Sequence, residues 1–439
     1  MSASELMKNI FAQRIQGKPA GIYSVCSANP HVLRAAMEQS LEDGTSVLIE
    51  ATANQVNQFG GYTGMKPEDF VTFVYGIADE CGFPKERIVL GGDHLGPLTW
   101  QNKPEDEAMT LAEELVEQYV SAGFEKIHLD TSMRLLDDDH SKALKDEVVA
   151  ARGARLCTIA EKAYTERASA QTEALPPIYV IGSEVPTPGG MQEVEDTVTP
   201  TSKDEFLASY NSFEKAFNNL GLQQAFERVV AFVVQPGVEF SGDTVFDYDR
   251  DAAAKLCAAL DEVNKDIIFE GHSTDYQLAT SLKKMVEDGI AILKVGPALT
   301  FGLREGLVAL EQFEKTMLPG TGLTPSNFSE ALEAAMLENP KNWQSQYEGT
   351  PEQQRFQRLY SYYDRARYYL PVEDVGKAID TLLSNLNKTG IPLNLISQYL
   401  PNSYNLIREG RLENNPESLL RDSVRRYLRH YSYACNSVD

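Results

Sequence analysis

The chain has 439 residues, of which 42% are hydrophobic and 24% are charged, as is usual for a globular protein with a sizeable core. It carries 64 Asp and Glu residues against 40 Lys and Arg residues, which gives a formal net charge of −24. Such a surface repels nucleic acid and anionic membranes. The charge therefore argues against both kinds of partner, and any anionic ligand would need a locally positive pocket.

The five cysteines are scattered and form no CxxC pair, which is typical of reduced thiols rather than of disulfides or a structural zinc site. No stretch approaches the length of apolar sequence that a membrane-spanning helix needs. The first residues lack a basic and apolar leader. We therefore expect a cytoplasmic protein with no membrane partner.

Eight apolar, β-branched runs follow one another along the first two thirds of the chain, and each ends in small or polar residues. The runs are near-continuous rather than alternating, as expected for parallel strands that are buried on both faces. They cover residues 21–28, 46–53, 87–95, 126–132, 178–185, 230–237, 266–273 and 290–296.

Helix-like segments separate these runs, at residues 30–41, 67–81, 105–122, 142–168, 203–219, 249–263 and 276–288. Repeated strand–helix units predict an α/β fold, a closed (β/α)8 barrel of the TIM type, over residues 1–301. The strand pattern then stops. We expect residues 302–439 to form a helical extension that packs on the barrel.

Barrels of this type carry their functional residues at the C-terminal ends of the strands and in the loops that follow. The candidate substrate-binding residues at these positions are Glu50, Asn54, His128, Gln235, Ser273, Asp275, Lys294 and Gly296. A carboxylate in this set could equally be a hydrogen-bonded strand cap. Lys294 could neutralise an enediolate or a phosphate, or it could form a buried ion pair.

Three of the six histidines lie at strand ends, each near a carboxylate. A single histidine there is more often a core residue than a ligand, but three at one rim favour a metal site. Imidazole and carboxylate ligands suit a divalent metal, zinc first and also manganese, cobalt or nickel. We predict that His94, Glu184 and His272 are direct ligands, while His128 either supports them or binds substrate.

Asp93 directly precedes a predicted ligand and could move a proton at the substrate. Glycine-containing turns at 59–64, 184–190 and 294–298 offer backbone amides to an anion, although tight turns need glycine in any case. The absence of GxxxxGK[ST] and GxGxxG motifs argues against ATP or dinucleotide use. In the tail, one cluster could reach over the barrel mouth to an anion or form a packing seam, namely Tyr362, Tyr363, Arg365 and Arg367.

Several longer motifs resemble the GatZ/KbaZ family. They include IEATANQVNQFGGYTGM at 49–65, GGDHLGP at 91–97, EVPTPGG at 184–190, VVQPGVEF at 233–240, GHSTDYQ at 271–277 and LKVGPALTF at 293–301. The resemblance implies the second subunit of a class II tagatose-1,6-bisphosphate aldolase, which supports the activity and stability of a separate catalytic subunit. Some relatives act alone as metal-dependent C4-epimerases that interconvert D-tagatose 6-phosphate and D-fructose 6-phosphate.

The chain is also distantly similar to the catalytic class II aldolases, which are zinc barrels. This similarity implies that Asp93 is the acid/base, that His94 binds the metal, and that His272, followed by Ser273, is a second ligand. The remaining histidine ligand of those enzymes falls near Glu184. This is a departure from their pattern, although glutamate can also bind zinc.

Retro-aldol chemistry would let such a site invert C4 of a ketose, whose C4 hydrogen is not acidic. Loss of the O4 proton breaks the C3–C4 bond, and the aldehyde fragment turns and adds back through its other face. Asp93 and either Glu239 or Asp130 are the candidates for the proton transfers. We predict a C4-epimerase of phosphorylated ketohexoses. The alternative is a non-catalytic aldolase subunit, and the expected assembly is a homo-oligomer or a complex with a catalytic aldolase subunit.

Overall fold

A computed structural model of the chain describes residues 1–142, 144–183, 198–263 and 265–436. The strands are β1 Ile22–Val25, β2 Val47–Thr52, β3 Ile88–Leu95, β4 Lys126–Leu129, β5 Ile178–Ile181, β6 Val229–Val234, β7 Glu239–Phe240, β8 Val245–Phe246, β9 Ile268–Gly271 and β10 Ile290–Val295. All of them except β7 and β8 correspond to the eight predicted runs. β7 and β8 form a separate antiparallel hairpin after β6.

The other eight strands are parallel and close into a barrel in the order β1–β2–β3–β4–β5–β6–β9–β10. Pairing of β10 with β1 completes the closure, with Ile22 opposite Ile292 and Val25 opposite Val295. These strands are buried almost throughout, which explains why their sequences are near-continuously apolar. The predicted (β/α)8 fold is confirmed.

Helices alternate with the strands around the barrel. They are α1 Ala3–Ile15, α2 Pro30–Asp43, α3 Pro67–Cys81, α4 Glu105–Ala122, α5 Asp146–Ala170, α6 Lys203–Asn219, α7 Gln223–Phe226, α8 Arg250–Ala258, α9 Ala279–Glu287 and α10 Pro297–Met317. Three of them, α3, α4 and α6, have the bounds that the sequence predicts. Short 3-10 turns cover Lys85–Arg87, Pro97–Trp100 and Ala259–Glu262.

The helix α1 was not predicted, and it covers the N-terminal end of the barrel. Its side chains Met7 and Ile10 join Leu48, Val89 and Ile292 in one buried cluster. The backbone nitrogen of α1 residue Ala3 also donates to a carboxylate just before β4. Apolar side chains and α1 therefore close the N-terminal end of the barrel. A site has to lie at the opposite, C-terminal end of the strands.

The C-terminal part consists of α11 Phe328–Glu338, α12 Pro351–Tyr360, α13 Glu373–Thr389, α14 Leu393–Tyr399, α15 Pro401–Arg408 and α16 Pro416–Asn436, with 3-10 turns at Pro340–Asn342 and Arg365–Tyr368. The expected boundary between residues 301 and 302 falls inside α10, which is the last helix of the barrel. The helix α16 packs against α10, α2 and α9. None of the described helices has the length and apolar character of a membrane span.

Gly96 allows the loop after β3 to pass very close to the end of β4. A Cβ atom at this position would lie 1.7 Å from the carbonyl oxygen of Asp130. We expect Gly96→Ala to lower the free energy of unfolding by about 3 kcal/mol, because the backbone has to move away from an overpacked contact. Urea denaturation measures this change.

Gly76→Ala is the matched control. Gly76 is exposed in α3, and a Cβ atom there would meet nothing within 4 Å. We expect Gly76→Ala to raise the free energy of unfolding by up to about 1 kcal/mol, since alanine favours a helix more than glycine does. Equal stability of the two variants would contradict the close approach at Gly96.

Candidate active site

Parallel strands bring imidazole, carboxylate and ammonium groups to one end of the barrel. Asp93 and His94 lie at the end of β3, His128 on β4, Glu270 on β9, and Lys294 on β10, and all five side chains are buried. His94 has a φ angle of 50°, which is uncommon for a residue other than glycine. Strained backbone of this kind is concentrated at functional sites, where the surrounding structure holds it in place.

The three strand-end histidines form one cluster, as the sequence predicts. The ring centroids of His94 and His128 are 5.1 Å apart, those of His94 and His272 are 4.9 Å apart, and those of His128 and His272 are 5.2 Å apart. The three rings are therefore immediate neighbours of one another. Imidazoles are common nitrogen ligands of metals, and His128 and His272 belong to a four-residue set whose ligand atoms lie close together, whereas the predicted ligand His94 is not in that set.

His128 has one satisfied and one unsatisfied ring nitrogen. Its Nδ1 lies 3.0 Å from Asp93 Oδ1 and 3.1 Å from the backbone nitrogen of His94. Its Nε2 is buried and has no hydrogen-bond partner in the described part of the chain. A buried polar atom without a protein partner is costly, and a bound ligand or metal would satisfy it.

His94 is oriented by Asp130. The His94 Nδ1 atom lies 2.8 Å from Asp130 Oδ2, and Ser132 donates to the other carboxylate oxygen through its hydroxyl at 2.7 Å. Burial would raise the pKa of Asp130, but the hydrogen bond and charge of His94 outweigh it and lower that pKa to about 2. Burial lowers the pKa of His94, whereas Asp93 and Asp130 together raise it above its ordinary value. Asp130 thus positions His94, as a carboxylate behind a ligand typically does.

His272 is in the form that binds metals. Burial lowers its pKa to about 4, so the imidazole is neutral at physiological pH. Its Nε2 atom lies 3.0 Å from Glu270 Oε1. One ligand atom from each of four residues lies within 4.8 Å of the others, namely Asp93, His128, Glu270 and His272.

Two buried lysines sit among the carboxylates below the histidines. Lys294 Nζ is 2.6 Å from Glu50 Oε2 and 2.9 Å from Asp93 Oδ1. Lys126 Nζ is 2.7 Å from Glu50 Oε1 and 2.7 Å from Glu270 Oε2. Three carboxylates therefore share two ammonium groups, and the remaining negative charge suits a bound cation.

This network holds Asp93 and Glu270 in their ionised forms. Burial would raise the pKa of Asp93, but Lys294 and His94 hold it well below its ordinary value. Burial is likewise outweighed at Glu270, whose pKa is held low by Lys126 and Lys294. The same contacts raise the pKa of Lys294 well above its usual range despite burial. The donor set, the unpaired His128 nitrogen and the excess of negative charge together fit a divalent metal ion.

A cavity of about 510 Å3 opens above these groups. Six of the residues predicted from the sequence line it together with Asp93 and His94, namely Asn54, His272, Ser273, Asp275, Lys294 and Gly296. Glu50 does not line the cavity. It is fully buried, and it accepts a hydrogen bond from Ser24 Oγ at 2.7 Å in addition to its ion pairs with both lysines. Glu50 therefore holds Lys294 in place and does not contact a molecule in the cavity.

Asp275 occupies backbone amides that the sequence analysis assigned to an anion. Its Oδ1 atom accepts hydrogen bonds from the nitrogen atoms of Gly296 at 3.0 Å and Ala298 at 2.8 Å. These amides lie in the loop after β10 and at the start of α10, a frequent phosphate site in this fold. Burial raises the pKa of Asp275 to about 6 despite these two bonds. A carboxylate of the protein thus occupies amides that could otherwise bind an anion.

Two other predicted residues organise loops around the cavity. Gln235 Oε1 accepts from the nitrogen atoms of Gly237 at 2.9 Å and Val238 at 3.1 Å, so it stabilises its own turn. Glu239 is buried beside Ser273, and burial raises its pKa to about 7. The predicted ligand Glu184 lies outside the described residues.

Lys126 and Glu270 contact residues of the predicted site, but the sequence did not lead us to include them in it. Lys126 is the first residue of β4, and the prediction considered only the C-terminal ends of the strands. Its long side chain nevertheless reaches Glu50 on β2 and Glu270 on β9. A lysine inside an otherwise apolar strand was the signal that could have revealed it, because lysine is almost never buried without a partner.

Comparison with known proteins places the chain in a family. The family model described as D-tagatose-1,6-bisphosphate aldolase subunit GatZ/KbaZ-like matches residues 7–436. The chain belongs to the GatZ/KbaZ-like family. D-tagatose-1,6-bisphosphate aldolase subunit GatZ from Salmonella gallinarum (strain 287/91 / NCTC 13346) is 44% identical over 429 residues, which cover 98% of this chain and 99% of that protein. The protein of the same name from Salmonella enteritidis PT4 (strain P125109) matches equally well.

A solved structure extends this family relationship to the fold. The crystal structure of a probable tagatose 6 phosphate kinase from Sinorhizobium meliloti 1021 has a TM-score of 0.85 and 45% identity. The match covers 94% of this GatZ/KbaZ-like chain and 100% of that chain. The barrel and the helical extension are therefore shared as one unit.

We expect His128→Gln to weaken the binding of Zn²⁺ or Co²⁺ at least about tenfold, because the substitution removes one of the converging nitrogen donors. Isothermal titration of the metal-free protein measures the affinity, and the visible spectrum of bound Co²⁺ reports its ligands. His140→Gln is the control, since His140 is exposed and lies outside the cluster. Equal affinities of the two variants would exclude His128 from the metal site.

Proposed function

We propose that the chain is a GatZ-type subunit of a D-tagatose-1,6-bisphosphate aldolase and associates with a separate catalytic subunit. The observation that supports this most directly is the extent of the similarity, because the relatives with this name match over 98% of the chain and 99% of their own length. The similarity includes the helical extension as well as the barrel. It therefore includes the outer surfaces through which a subunit would contact its partner.

A specific observation favours a second function, in which the site itself interconverts D-tagatose 6-phosphate and D-fructose 6-phosphate. Asp93, Lys294 and the three histidines form a buried, charged cluster that opens into a cavity. Burying charges costs several kcal/mol for each ion unless the geometry is very good. A subunit that only stabilised a partner through its outer surface would not need such a cluster, whereas an enzyme would.

The residues of the chain are suited to a retro-aldol and aldol sequence. Asp93 is ionised and lines the cavity, so it can accept the O4 proton. The C3–C4 bond then breaks, its electrons move into the enediolate of the three-carbon ketone fragment, and glyceraldehyde 3-phosphate is released within the cavity. The aldehyde rotates, C3 attacks its other face, and the proton returns to O4. The Lys294 ammonium group lies 2.9 Å from Asp93 and would stabilise the negative charge that develops.

A divalent metal held by His128, His272 and Glu270 would supply further positive charge beside the substrate oxygens, which leaves Asp93 to accept the proton. The second proton-transfer group is better assigned to Glu239 than to Asp130. The pKa of Glu239 is raised to about 7, which suits a group that both gives and takes a proton at physiological pH. Asp130 is held near a pKa of 2 by its bond to His94, and it positions that ring.

The subunit role predicts an effect on a catalytic partner. We expect the chain to form a complex with a catalytic class II tagatose-bisphosphate aldolase subunit, to raise its Tm, and to increase cleavage of D-tagatose 1,6-bisphosphate. Size-exclusion chromatography, thermal melting and a triose-phosphate assay measure these effects. The Asp93→Asn variant should act as well as wild type here, because the effect depends on the outer surface. Absence of both a complex and a change in activity would rule out this role.

The epimerase role predicts activity of the chain alone. With Zn²⁺, Mn²⁺, Co²⁺ or Ni²⁺ and D-tagatose 6-phosphate, we expect fructose 6-phosphate in a coupled assay. We expect Asp93→Asn to lower kcat/KM by about 100-fold or more, since it removes the group that accepts the O4 proton. Asp106→Asn, at an exposed position in α4, is the control. If no metal gives product, or if both variants are equally active, the site does not catalyse this reaction.

A further inference from the structure

One segment of the helical extension lies directly on the barrel mouth. This mouth segment, residues 361–370, is held by three contacts. The backbone nitrogen of Tyr362 donates to the carbonyl oxygen of Gly242 at 2.8 Å, and the hydroxyl group of Tyr276 donates to the carbonyl oxygen of Tyr362 at 2.7 Å. Arg304 on α10 pairs with Asp364 at 2.9 Å. The segment is thus fixed to the loops that surround the cavity.

Three residues of the mouth segment reach the cavity that contains Asp93 and His272, namely Leu370 and the polar pair Arg367 and Tyr368. Arg367 and Tyr368 line it, and the Arg367 guanidinium stacks over the Tyr368 ring at 4.7 Å. Arg367 Nη2 donates to the Tyr368 hydroxyl at 3.2 Å, and Arg365 Nη1 donates to the same hydroxyl at 3.4 Å. Two guanidinium groups therefore converge on one tyrosine at the cavity wall.

Arg365, which is buried, and Arg367, which is half-buried, differ from the other buried arginines in having no acidic partner within the described residues. Arg152, Arg304 and Arg358 each form an ion pair with at least one carboxylate. Arg365 and Arg367 form none within the described ranges. Arg365 is 9% exposed, and its Nε atom has no hydrogen-bond partner there. Uncompensated positive charge at a buried position is costly, and an anion would offset that cost.

Other anion sites around the cavity are already filled. The backbone amides of Gly296 and Ala298 donate to Asp275, and the Lys294 ammonium group is paired with Glu50 and Asp93. An anionic group of a ligand in this cavity would therefore meet its available positive charge at Arg367. Guanidinium groups match phosphate oxygens with two parallel hydrogen bonds, and the phenol of Tyr368 adds a donor.

We propose that Arg367, supported by Arg365 and Tyr368, forms the subsite for the phosphate group of a sugar phosphate bound in this cavity. The assignment rests on the proposed function for the identity of the sugar, but the anion subsite itself rests on two guanidinium groups that have only neutral hydrogen-bond partners, namely the Tyr368 hydroxyl and, for Arg367, the carbonyl oxygens of Tyr363 and Asp364. The helical extension then completes the binding site that the barrel strands begin.

The test measures binding to the full-length, metal-loaded chain by isothermal titration. Three ligands separate the contributions, namely D-tagatose 6-phosphate, unphosphorylated D-tagatose and inorganic phosphate. We expect Arg367→Gln to weaken D-tagatose 6-phosphate at least about tenfold, to abolish the binding of inorganic phosphate, and to leave D-tagatose unchanged, because only the charged hydrogen bonds are lost. Arg367→Lys should recover part of the affinity, since it restores the charge without the two-pronged geometry.

Arg408→Gln is the matched control. Arg408 also stacks over a tyrosine, Tyr404, and donates to its hydroxyl at 2.8 Å, but it is exposed and away from the cavity. The Arg408→Gln variant should bind all three ligands as tightly as wild type does. Unchanged phosphate affinities in Arg367→Gln, equal losses for D-tagatose and its 6-phosphate, or no binding of any phosphate by wild type would overturn the subsite. Binding of inorganic phosphate that depends on Arg367, without binding of D-tagatose 6-phosphate, would support the subsite and reject the proposed sugar.

Discussion

Burial of charge inside the barrel is the constraint on which the site depends. Lys126 is 1% exposed and Lys294 is 4% exposed, and together they contact Glu50, Asp93 and Glu270. An ion removed from water is tolerated only when its partners surround it in good geometry. The network therefore links β2, β3, β4, β9 and β10 at the upper half of the barrel. Gly91 makes room for it, because a Cβ atom there would lie 2.7 Å from Glu50 Cγ.

The network also prepares the chemistry above it. Asp93 and Glu270 are held ionised by the lysines, and each contacts one of the histidines, His128 or His272. These hydrogen bonds fix the orientation of the His128 and His272 rings. Three carboxylates against two ammonium groups leave the space beside these rings attractive to a cation. In a chain with a net charge of −24, the buried lysines thus give the barrel end a local balance of charge that differs from that of the surface.

The helical extension belongs to the site as much as to the exterior. From α16, the Tyr431 hydroxyl donates to the carbonyl oxygen of Thr274 at 2.7 Å, within the loop that carries His272, Ser273 and Asp275. From the mouth segment, Arg367 lines the same cavity. The loop after β9 is therefore held from the barrel side and from the extension. This arrangement gives a physical reason why barrel and extension occur together in the crystal structure from Sinorhizobium meliloti 1021.

The sequence by itself determined the eight strands, most of the helices and the gathering of the strand-end histidines, because buried parallel strands and amphipathic helices leave local patterns. It also identified the family through motifs that run along the whole chain. Only the tertiary structure decided which polar groups pair with one another through hydrogen bonds and ion pairs. Asp275 accepts from amides that could have bound an anion, Lys126 enters the site from the start of a strand, and Arg367 reaches it from the extension. These outcomes depend on pairs such as Glu50 and Lys294, which are 244 residues apart in the chain and meet only when the barrel closes.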